Sequence, residues 1–395
     1  MGKNLPVRLK QFIRKETVFC ASLILALLSV LAVRPDEAYL NYPDYRTMSL
    51  LFCLMLITAG FQWLGAFEKL GHYLLKRAGS LRSLSVTLVL LCFFCSMIIT
   101  NDVTLITFVP FTLLIFRMIG KQEKVITLVV METIAANLGS MATPIGNPQN
   151  LYLFSASGLS MEQFAMAVLP YAGLSLLLLL AVLLLQHNEP VREIETAVPE
   201  TGKETGASQR VEEKGQAAAK PGLSLPALLP FLCLLILCLL VVFRIVPYVP
   251  VLICVAAAVL VINKRLFLSV DYCLLLTFLF FFIFIGNLKR IPALDDLLFS
   301  VIQGNELWGG ILASQVISNV PAAILLSGFT ENVSVLITAV NLGGLGTLIA
   351  SLASLISFKF YAAEYPGRKG CFLKIFTLWN GIFLLILTGE ALLLA

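Results

Sequence analysis

Long apolar runs, each ended by a short polar stretch, follow one another along this chain. Windows of seventeen or more apolar residues recur over its whole length, and a window of that size crosses a hydrocarbon core about 30 Å thick. Residues 187–224 differ, being rich in Glu, Lys, Gly and Ala without hydrophobic periodicity, which predicts a disordered cytoplasmic linker. The pattern predicts an all-α polytopic membrane protein in two halves.

One apolar run, from about Leu84 to Phe116, is interrupted by the polar triplet Thr100-Asn101-Asp102. Each arm has only about sixteen residues, no polar loop separates the arms, and basic residues flank both ends. Two full spans with an external turn are one interpretation. We favour a re-entrant hairpin over about residues 84–118, because non-helical backbone at membrane depth needs protein or water around it.

The next apolar segment contains "ATPIGNPQN" in its middle. Pro144, Gly146 and Pro148 lie within five residues, and prolines this close cannot stand inside an unbroken helix. The sequence therefore predicts a discontinuous helix over about residues 125–157.

The second half repeats the first. Residues 136–154 align without a gap on residues 340–358, with seven of nineteen positions identical, which indicates an internal duplication. Upstream, "IITNDVTLI" aligns on "VISNVPAAI", which places Ser318-Asn319 opposite Thr100-Asn101.

Counting spans gives the predicted topology. One additional span precedes the second copy and inverts it, which predicts two inverted-topology repeats with about nine full spans and two hairpins. Basic flanks indicate a cytoplasmic N-terminus and an external C-terminus. The predicted segments are repeat 1 (1–186), the linker (187–224), the additional span (225–246) and repeat 2 (249–395), with a hairpin at about 306–330 and a broken helix at about 334–358.

Composition supports this class and excludes others. Hydrophobic residues make up 59% and charged residues 13%, and the mean hydropathy is +0.93, which fits no soluble class. The net charge of +5 follows the loop flanks and does not indicate nucleic acid. We interpret the nine cysteines as small apolar residues and expect no cofactor and no metal site beyond Na⁺. No nucleophile, base and orienting group occur in an enzyme pattern.

Inverted repeats with broken helices are typical of secondary transporters, whose site lies at the midplane where the copies meet. Each break exposes carbonyls, which suit Na⁺, and N–H groups, which suit a carboxylate or oxyanion. We expect both tips and both breaks to form one substrate and ion site. Its predicted residues are Thr100, Asn101, Asp102, Asn137, Thr143, Gly146, Asn147, Asn150, Ser318, Asn319, Asn341, Thr347, Ser351 and Ser354.

The acids in apolar sequence are candidates for ion coupling. We hypothesise that Asp102 carries the coupling ion, H⁺ or Na⁺, the alternative being that it caps the returning helix. Glu132 is a second candidate coupling acid, or else a structural partner of a hairpin hydroxyl. We expect Glu390 to be solvated, and Asp44 and Asp271 to cap their helices.

These motifs resemble those of the ion-transporter superfamily of citrate symporters, divalent anion/sodium symporters, arsenite efflux permeases and some sodium/proton antiporters. The resemblance rests on "TND" with "NLGSMATPIGNPQN" and on "SNV" with "NLGGLGT", and it is greatest to bacterial anion permeases of unassigned substrate. It implies an elevator-type mechanism. In the sodium/dicarboxylate branch both tips read Ser-Asn-Thr, whereas here both lack the third Thr.

We therefore predict a secondary-active transporter of a small carboxylate or oxyanion, coupled to H⁺ or Na⁺. A sodium/proton antiporter is the alternative, and an arsenite efflux permease is a further one. The expected partners are the anion, the ion and the lipid of an inner cell membrane. A homodimer is left open.

Overall fold

The computed structural model describes residues 16–67, 69, 73, 79–186, 188–189 and 224–394, and throughout them the regular structure is helical. The basic N-terminal flank (1–15), most of the predicted linker and both histidines, His72 and His187, lie outside the described residues.

Sixteen α-helices account for most of the described chain. They are α1 (Thr17–Ala32), α2 (Tyr45–Trp63), α3 (Leu81–Ile99), α4 (Asn101–Met118), α5 (Val125–Ser140), α6 (Pro148–Ser157), α7 (Met161–Leu184), α8 (Leu225–Val242), α9 (Tyr248–Asn263), α10 (Tyr272–Lys289), α11 (Pro292–Ile302), α12 (Glu306–Ile317), α13 (Asn319–Ser327), α14 (Val333–Leu342), α15 (Leu352–Glu364) and α16 (Lys369–Leu394), with 3₁₀ turns at Glu37–Asn41, Lys264–Ser269 and Pro366–Arg368.

Membrane-length helices confirm the predicted all-α polytopic class. In the described part of the chain, seven segments are long and apolar enough to cross a membrane: α2, α3, α4, α7, α10, Tyr248–Ser269 and Pro366–Leu394. The predicted total of nine spans also includes shorter apolar helices, and it stays a prediction.

The first helix pair, α3 and α4, joins at Thr100, and its two helices pack on each other. Its arms have 19 and 18 residues, so the expected length of about sixteen was wrong. Helix α3 starts earlier because the Ser80 hydroxyl accepts from the Ser83 N–H at 3.2 Å and caps it. Each arm is about 27–28 Å long, so length does not decide between a hairpin and two spans, and the re-entrant hairpin stays a prediction.

The second helix pair, α12 and α13, is much shorter. Its arms have 12 and 9 residues, which is about 18 and 14 Å of helix, so neither arm reaches across a core of about 30 Å. Its bounds, 306–327, lie close to those predicted for the second hairpin.

Both predicted breaks are present. Helix α5 ends at Ser140 and α6 begins at Pro148; α14 ends at Leu342 and α15 begins at Leu352. The second break has no proline, and α15 continues to Glu364, past the predicted end near residue 358.

The chain divides into two compact units that draw on both sequence halves. The TND unit comprises the described residues of Ile57–Asn147, Leu169–Leu237 and Leu352–Ala395, and the SNV unit comprises the described residues up to Leu56 with Pro148–Val168 and Cys238–Ser351. Helix α15, from the second half, packs on α4 and α5 in the TND unit; helix α6, from the first half, packs on α13 and α14 in the SNV unit.

Ion pairs and helix caps stabilise helix ends in each unit. In the TND unit, Glu189 pairs with Lys121 and Lys124. Hydrogen bonds from the two lysines lower the pKa of Glu189 to about 2, and the bond from Lys121 contributes more than the bond from Lys124. In the SNV unit, Asp44 accepts from the Thr47 N–H at 3.0 Å and Asp271 from the Leu274 N–H at 2.9 Å, which confirms both as helix caps.

Gly139, near the end of α5, lies against α3. A Cβ at Gly139 would stand 2.1 Å from the Phe93 carbonyl oxygen. We expect Gly139→Ala to lower the unfolding free energy by about 1–3 kcal/mol, because the backbone must shift, as measured by thermal unfolding in detergent. Gly173→Ala is the control, since its Cβ would meet nothing within 4 Å. Equal stability of the two variants would contradict this packing.

Candidate functional site

The two tips share an unusual backbone conformation. Thr100 has φ 71° and ψ 151°, and Ser318, its repeat equivalent, has φ 74° and ψ 154°. This region of φ and ψ is close to glycine-only territory and costs on the order of 1–3 kcal/mol for another residue. The conformation ends one helix and starts the next within a single residue.

A backbone hydrogen bond ties each tip to the break of its own repeat. The Asn101 N–H donates to the Gly146 carbonyl at 3.2 Å, and the Asn319 N–H donates to the Ala350 carbonyl at 2.9 Å. The sequence alignment pairs Gly146 with Ala350. The bond is therefore duplicated together with the helices that it joins.

In the TND unit, a relay of side chains connects three elements. Asn101 Nδ2 donates to Asn137 Oδ1 at 3.1 Å, and Asn137 Nδ2 donates to Ser354 Oγ at 3.3 Å. Asn147 Nδ2 donates to Ser140 Oγ at 3.1 Å. All five residues are buried. We call them the TND cluster; it joins the tip, the first break and the start of α15.

In the SNV unit, the SNV cluster comprises Asn150, Ser318, Asn319, Asn341 and Ser351, all of them buried. Asn341 Nδ2 donates to Asn150 Oδ1 at 2.6 Å. This bond is the counterpart of Asn137 to Ser354, because the alignment pairs Asn137 with Asn341 and Asn150 with Ser354. The Ser318 hydroxyl also donates to the Ala350 carbonyl at 3.4 Å.

The threonines of the breaks form a further equivalent pair of contacts. Thr143 Oγ1 donates to the Met97 carbonyl at 2.5 Å, and Thr347 Oγ1 donates to the Gln315 carbonyl at 3.3 Å. The predicted site residues thus separate into two groups, one within each unit. That they form one common site stays a prediction.

Asp102 lies in the first turn of α4, half-buried, and the N-cap position belongs to Thr100. The alternative that Asp102 is the N-cap of α4 was therefore wrong, because Asp102 lies two residues after the cap position. Its backbone N–H donates to Asn101 Oδ1 at 3.0 Å. A carboxylate in a first turn still interacts favourably with the helix dipole.

Glu132 is fully buried in α5. Its Oε1 accepts a hydrogen bond of 2.5 Å from the hydroxyl of Thr112, on α4, which confirms contact with a hydroxyl of the first helix pair. Its Oε2 has no hydrogen-bond partner among the described residues. A role in coupling stays a prediction.

Glu390 is half-buried. Its Oε2 is buried and, within the ranges that the structure describes, has no hydrogen-bond partner. The solvation of the rest of this side chain stays a prediction.

Sequence reasoning missed two serines that contact the ends of the broken helices. A Cβ at Gly139 would lie 2.7 Å from Ser96 Oγ, and one at Gly343 would lie 2.6 Å from Ser314 Oγ. Each serine stands five residues before the tip asparagine of its copy. Extending the tip alignment by two residues on that side would have found the pair.

Amides, hydroxyls and backbone groups form both clusters, so each offers donors and acceptors without a fixed net charge. Side-chain and backbone oxygens suit a small hard cation, and N–H groups at helix starts suit an anion. The TND cluster lies at the starts of α4 and α15, and the SNV cluster at the starts of α13 and α6.

Membrane-length apolar helices with polar clusters at broken helices define a polytopic membrane transporter. A model of the citrate transporter family (CitMHS) matches residues 12–334. The chain belongs to this family, whose members are transporters rather than enzymes.

Curated relatives agree with that assignment. The chain is 35% identical to inner membrane protein YbiR of Escherichia coli, over 80% of each chain. It is 31% identical to the uncharacterized transporter MJ0456 of Methanocaldococcus jannaschii, over 93% of this chain and 94% of the relative. It is also 30% identical to the silicon efflux transporter LSI3 of rice, over 38% of this chain and 31% of that protein.

The strained tip leads to a test of stability. We expect Thr100→Gly to keep or raise the unfolding free energy, because glycine removes a strain of about 1–3 kcal/mol. Thr107→Gly, inside α4, should instead lower the unfolding free energy by about 1 kcal/mol, because glycine has a lower helix propensity than threonine and the hydroxyl bond to the Val103 carbonyl at 2.9 Å is lost. Thermal unfolding of the two variants makes the comparison, and an equal loss in both would show that Thr100 is not strained.

Proposed function

We propose that this protein is a secondary-active transporter of a small anion, a carboxylate or an oxyanion, driven by H⁺ or Na⁺. The observation that carries the proposal is the duplicated bond between tip and break, with an asparagine relay beside it in each unit. Membership in the citrate transporter family supports an anionic cargo.

Helix N-termini supply the proposed anion site. In the TND unit, the Asn101–Asn137–Ser354 relay connects the starts of α4 and α15, where backbone N–H groups lack helical partners and the dipole is positive. Two such ends attract a carboxylate or oxyanion without a fixed positive charge. A neutral binder also releases its anion more readily than an arginine pair would.

Ion coupling is proposed to use groups in the TND unit. Asparagine and carbonyl oxygens there suit Na⁺, and Asp102 and Glu132 are the candidate acids for H⁺. Asp102 lies next to Asn101 in the first turn of α4, whereas Glu132 contacts Thr112 on the same helix. The proposal includes the elevator-type movement that the family resemblance implies.

A sodium/proton antiporter is a second candidate, and one observation favours it. The buried Glu132 has one carboxylate oxygen with no partner among the described residues. A buried carboxylate needs a proton or a cation to offset its desolvation, so one group could exchange the two ions.

The relatives extend the proposal in two directions. The rice relative is a silicon efflux transporter, which makes small oxyacids a cargo class to test beside carboxylates. The E. coli relative is an inner membrane protein, which makes the inner membrane the proposed location.

Purified protein in liposomes tests the function. We expect uptake of a labelled carboxylate or oxyanion, citrate and arsenite included, only under an inward Na⁺ or H⁺ gradient. Protein-free liposomes are the control. Ion exchange without any anion would favour the antiporter, and transport that ignores both gradients would contradict the proposal.

Substitution of the acids separates their roles. We expect Asp102→Asn to abolish gradient-driven accumulation while anion exchange at equal ion concentrations continues, because the coupling charge is removed. Glu132→Gln should leave accumulation within about threefold if the acid only holds Thr112, a difference of about 0.6 kcal/mol. Thr112→Val is its matched variant. Accumulation by Asp102→Asn equal to the unsubstituted protein would exclude Asp102 as the coupling acid.

A further inference from the structure

The helices that precede the two tips carry different residues at one position whose backbone carbonyl contacts the break. Gln315 stands in the second copy where Met97 stands in the first. Both residues precede the tip asparagine by four positions, and the backbone carbonyl of each accepts from a break threonine. Only the side chains differ, and methionine has no N–H to donate.

The Gln315 carboxamide holds the second break through both of its ends. Its Nε2 donates to the carbonyls of Gly343 at 2.8 Å and Leu345 at 2.9 Å, and lies 3.3 Å from the Ile311 carbonyl. Its Oε1 accepts from the Thr347 N–H at 2.9 Å. The partially positive amide hydrogens thus lie among carbonyl oxygens at the end of α14.

Such carbonyls, at the C-terminal end of a broken half-helix, are the groups that coordinate the driving cation in transporters built this way. A cation and an amide NH₂ compete for the same oxygen lone pairs. While Gln315 donates to Gly343 and Leu345, one lone pair of each carbonyl oxygen is engaged, and the partially positive NH₂ group beside them opposes the approach of a cation.

The backbone of the second break is adapted to this side chain. Gly346 has φ +98°, and a Cβ there would lie 2.5 Å from Gln315 Oε1. The aligned residue of the first copy is Ala142, which does not have a positive φ. Glycine at 346 therefore makes room for the carboxamide, which the first copy does not need.

We propose that the carboxamide of Gln315 takes the place of a monovalent cation at the second break, so that the protein binds its driving cation in the TND cluster alone. The inference rests on the proposed function and specifies its ion site. It makes Gln315 a positioning residue that sets the number of cations bound.

Thermal unfolding of purified protein, titrated with NaCl against choline chloride at equal ionic strength, is the test. Gln315→Met gives the second copy the residue of the first and opens the Gly343 and Leu345 carbonyls. We expect it to gain a Na⁺-dependent rise in Tm beyond that of the unsubstituted protein, on the order of 2 °C or more. Gln163→Met, at the start of α7, is the matched control and should gain none.

Met97→Gln is the reciprocal variant and should reduce any Na⁺-dependent rise in Tm. Gln315→Glu provides a second measurement if Gln315→Met does not fold, because a carboxylate among carbonyls needs a cation and should raise the Na⁺ dependence further. A Na⁺ dependence that Gln315→Met and Gln315→Glu leave unchanged, with Tm lowered equally in both salts, would overturn the inference.

The titration contains no carboxylate or oxyanion, chloride is the same in both salts, and no transport is required. A gain in Na⁺ dependence for Gln315→Met therefore supports the inference even if the liposome assay finds no anion cargo. Anion transport by the unsubstituted protein, together with an unchanged Gln315→Met titration, would leave the proposed function standing and reject the role of Gln315.

Discussion

The hydrogen bond from the tip asparagine N–H to a carbonyl of the helix break is the constraint on which the rest depends. A chain that interrupts its helices in apolar surroundings leaves donors and acceptors that no lipid satisfies. Here Asn101 meets Gly146 and Asn319 meets Ala350, so one interruption satisfies another. Each tip must therefore stay next to its break. The strained residue before each asparagine and the small residue whose carbonyl accepts from it both follow from this requirement.

Amides suit these clusters because they tolerate both signs of charge. Asn137 accepts from Asn101 through its oxygen and donates to Ser354 through its nitrogen. A carboxylate or an ammonium at that position would suit only one of an anion and a cation. The charged groups lie beside the relay, Asp102 in the first turn of α4 and Glu132 buried further along α5.

The internal repeat made much of the fold predictable, whereas the hydrogen-bond partners of individual side chains could not be predicted. The breaks followed from Pro144, Gly146 and Pro148 and from the alignment of the copies. The arms of the first pair were misjudged because the Ser80 cap extends α3 into the preceding polar sequence. The bond from Asn137 to Ser354 joins residues far apart in the chain, and no local pattern encodes it. The role of Gln315 at the second break could not be predicted, because its difference from Met97 looks like simple divergence until its hydrogen bonds are known.

The exchange of half-helices between sequence halves affects how the protein is made. Helix α6 is synthesised with the first half but packs on α13 and α14. Asn150 therefore cannot accept from Asn341 until the second half has been made. The TND cluster likewise lacks Ser354 until α15 has been synthesised. Each half alone therefore holds an unfinished polar surface, so a break in the chain between residues 187 and 224 would leave two fragments that must associate to satisfy it. The order of translation thus makes helices of the second half the ones that complete both clusters.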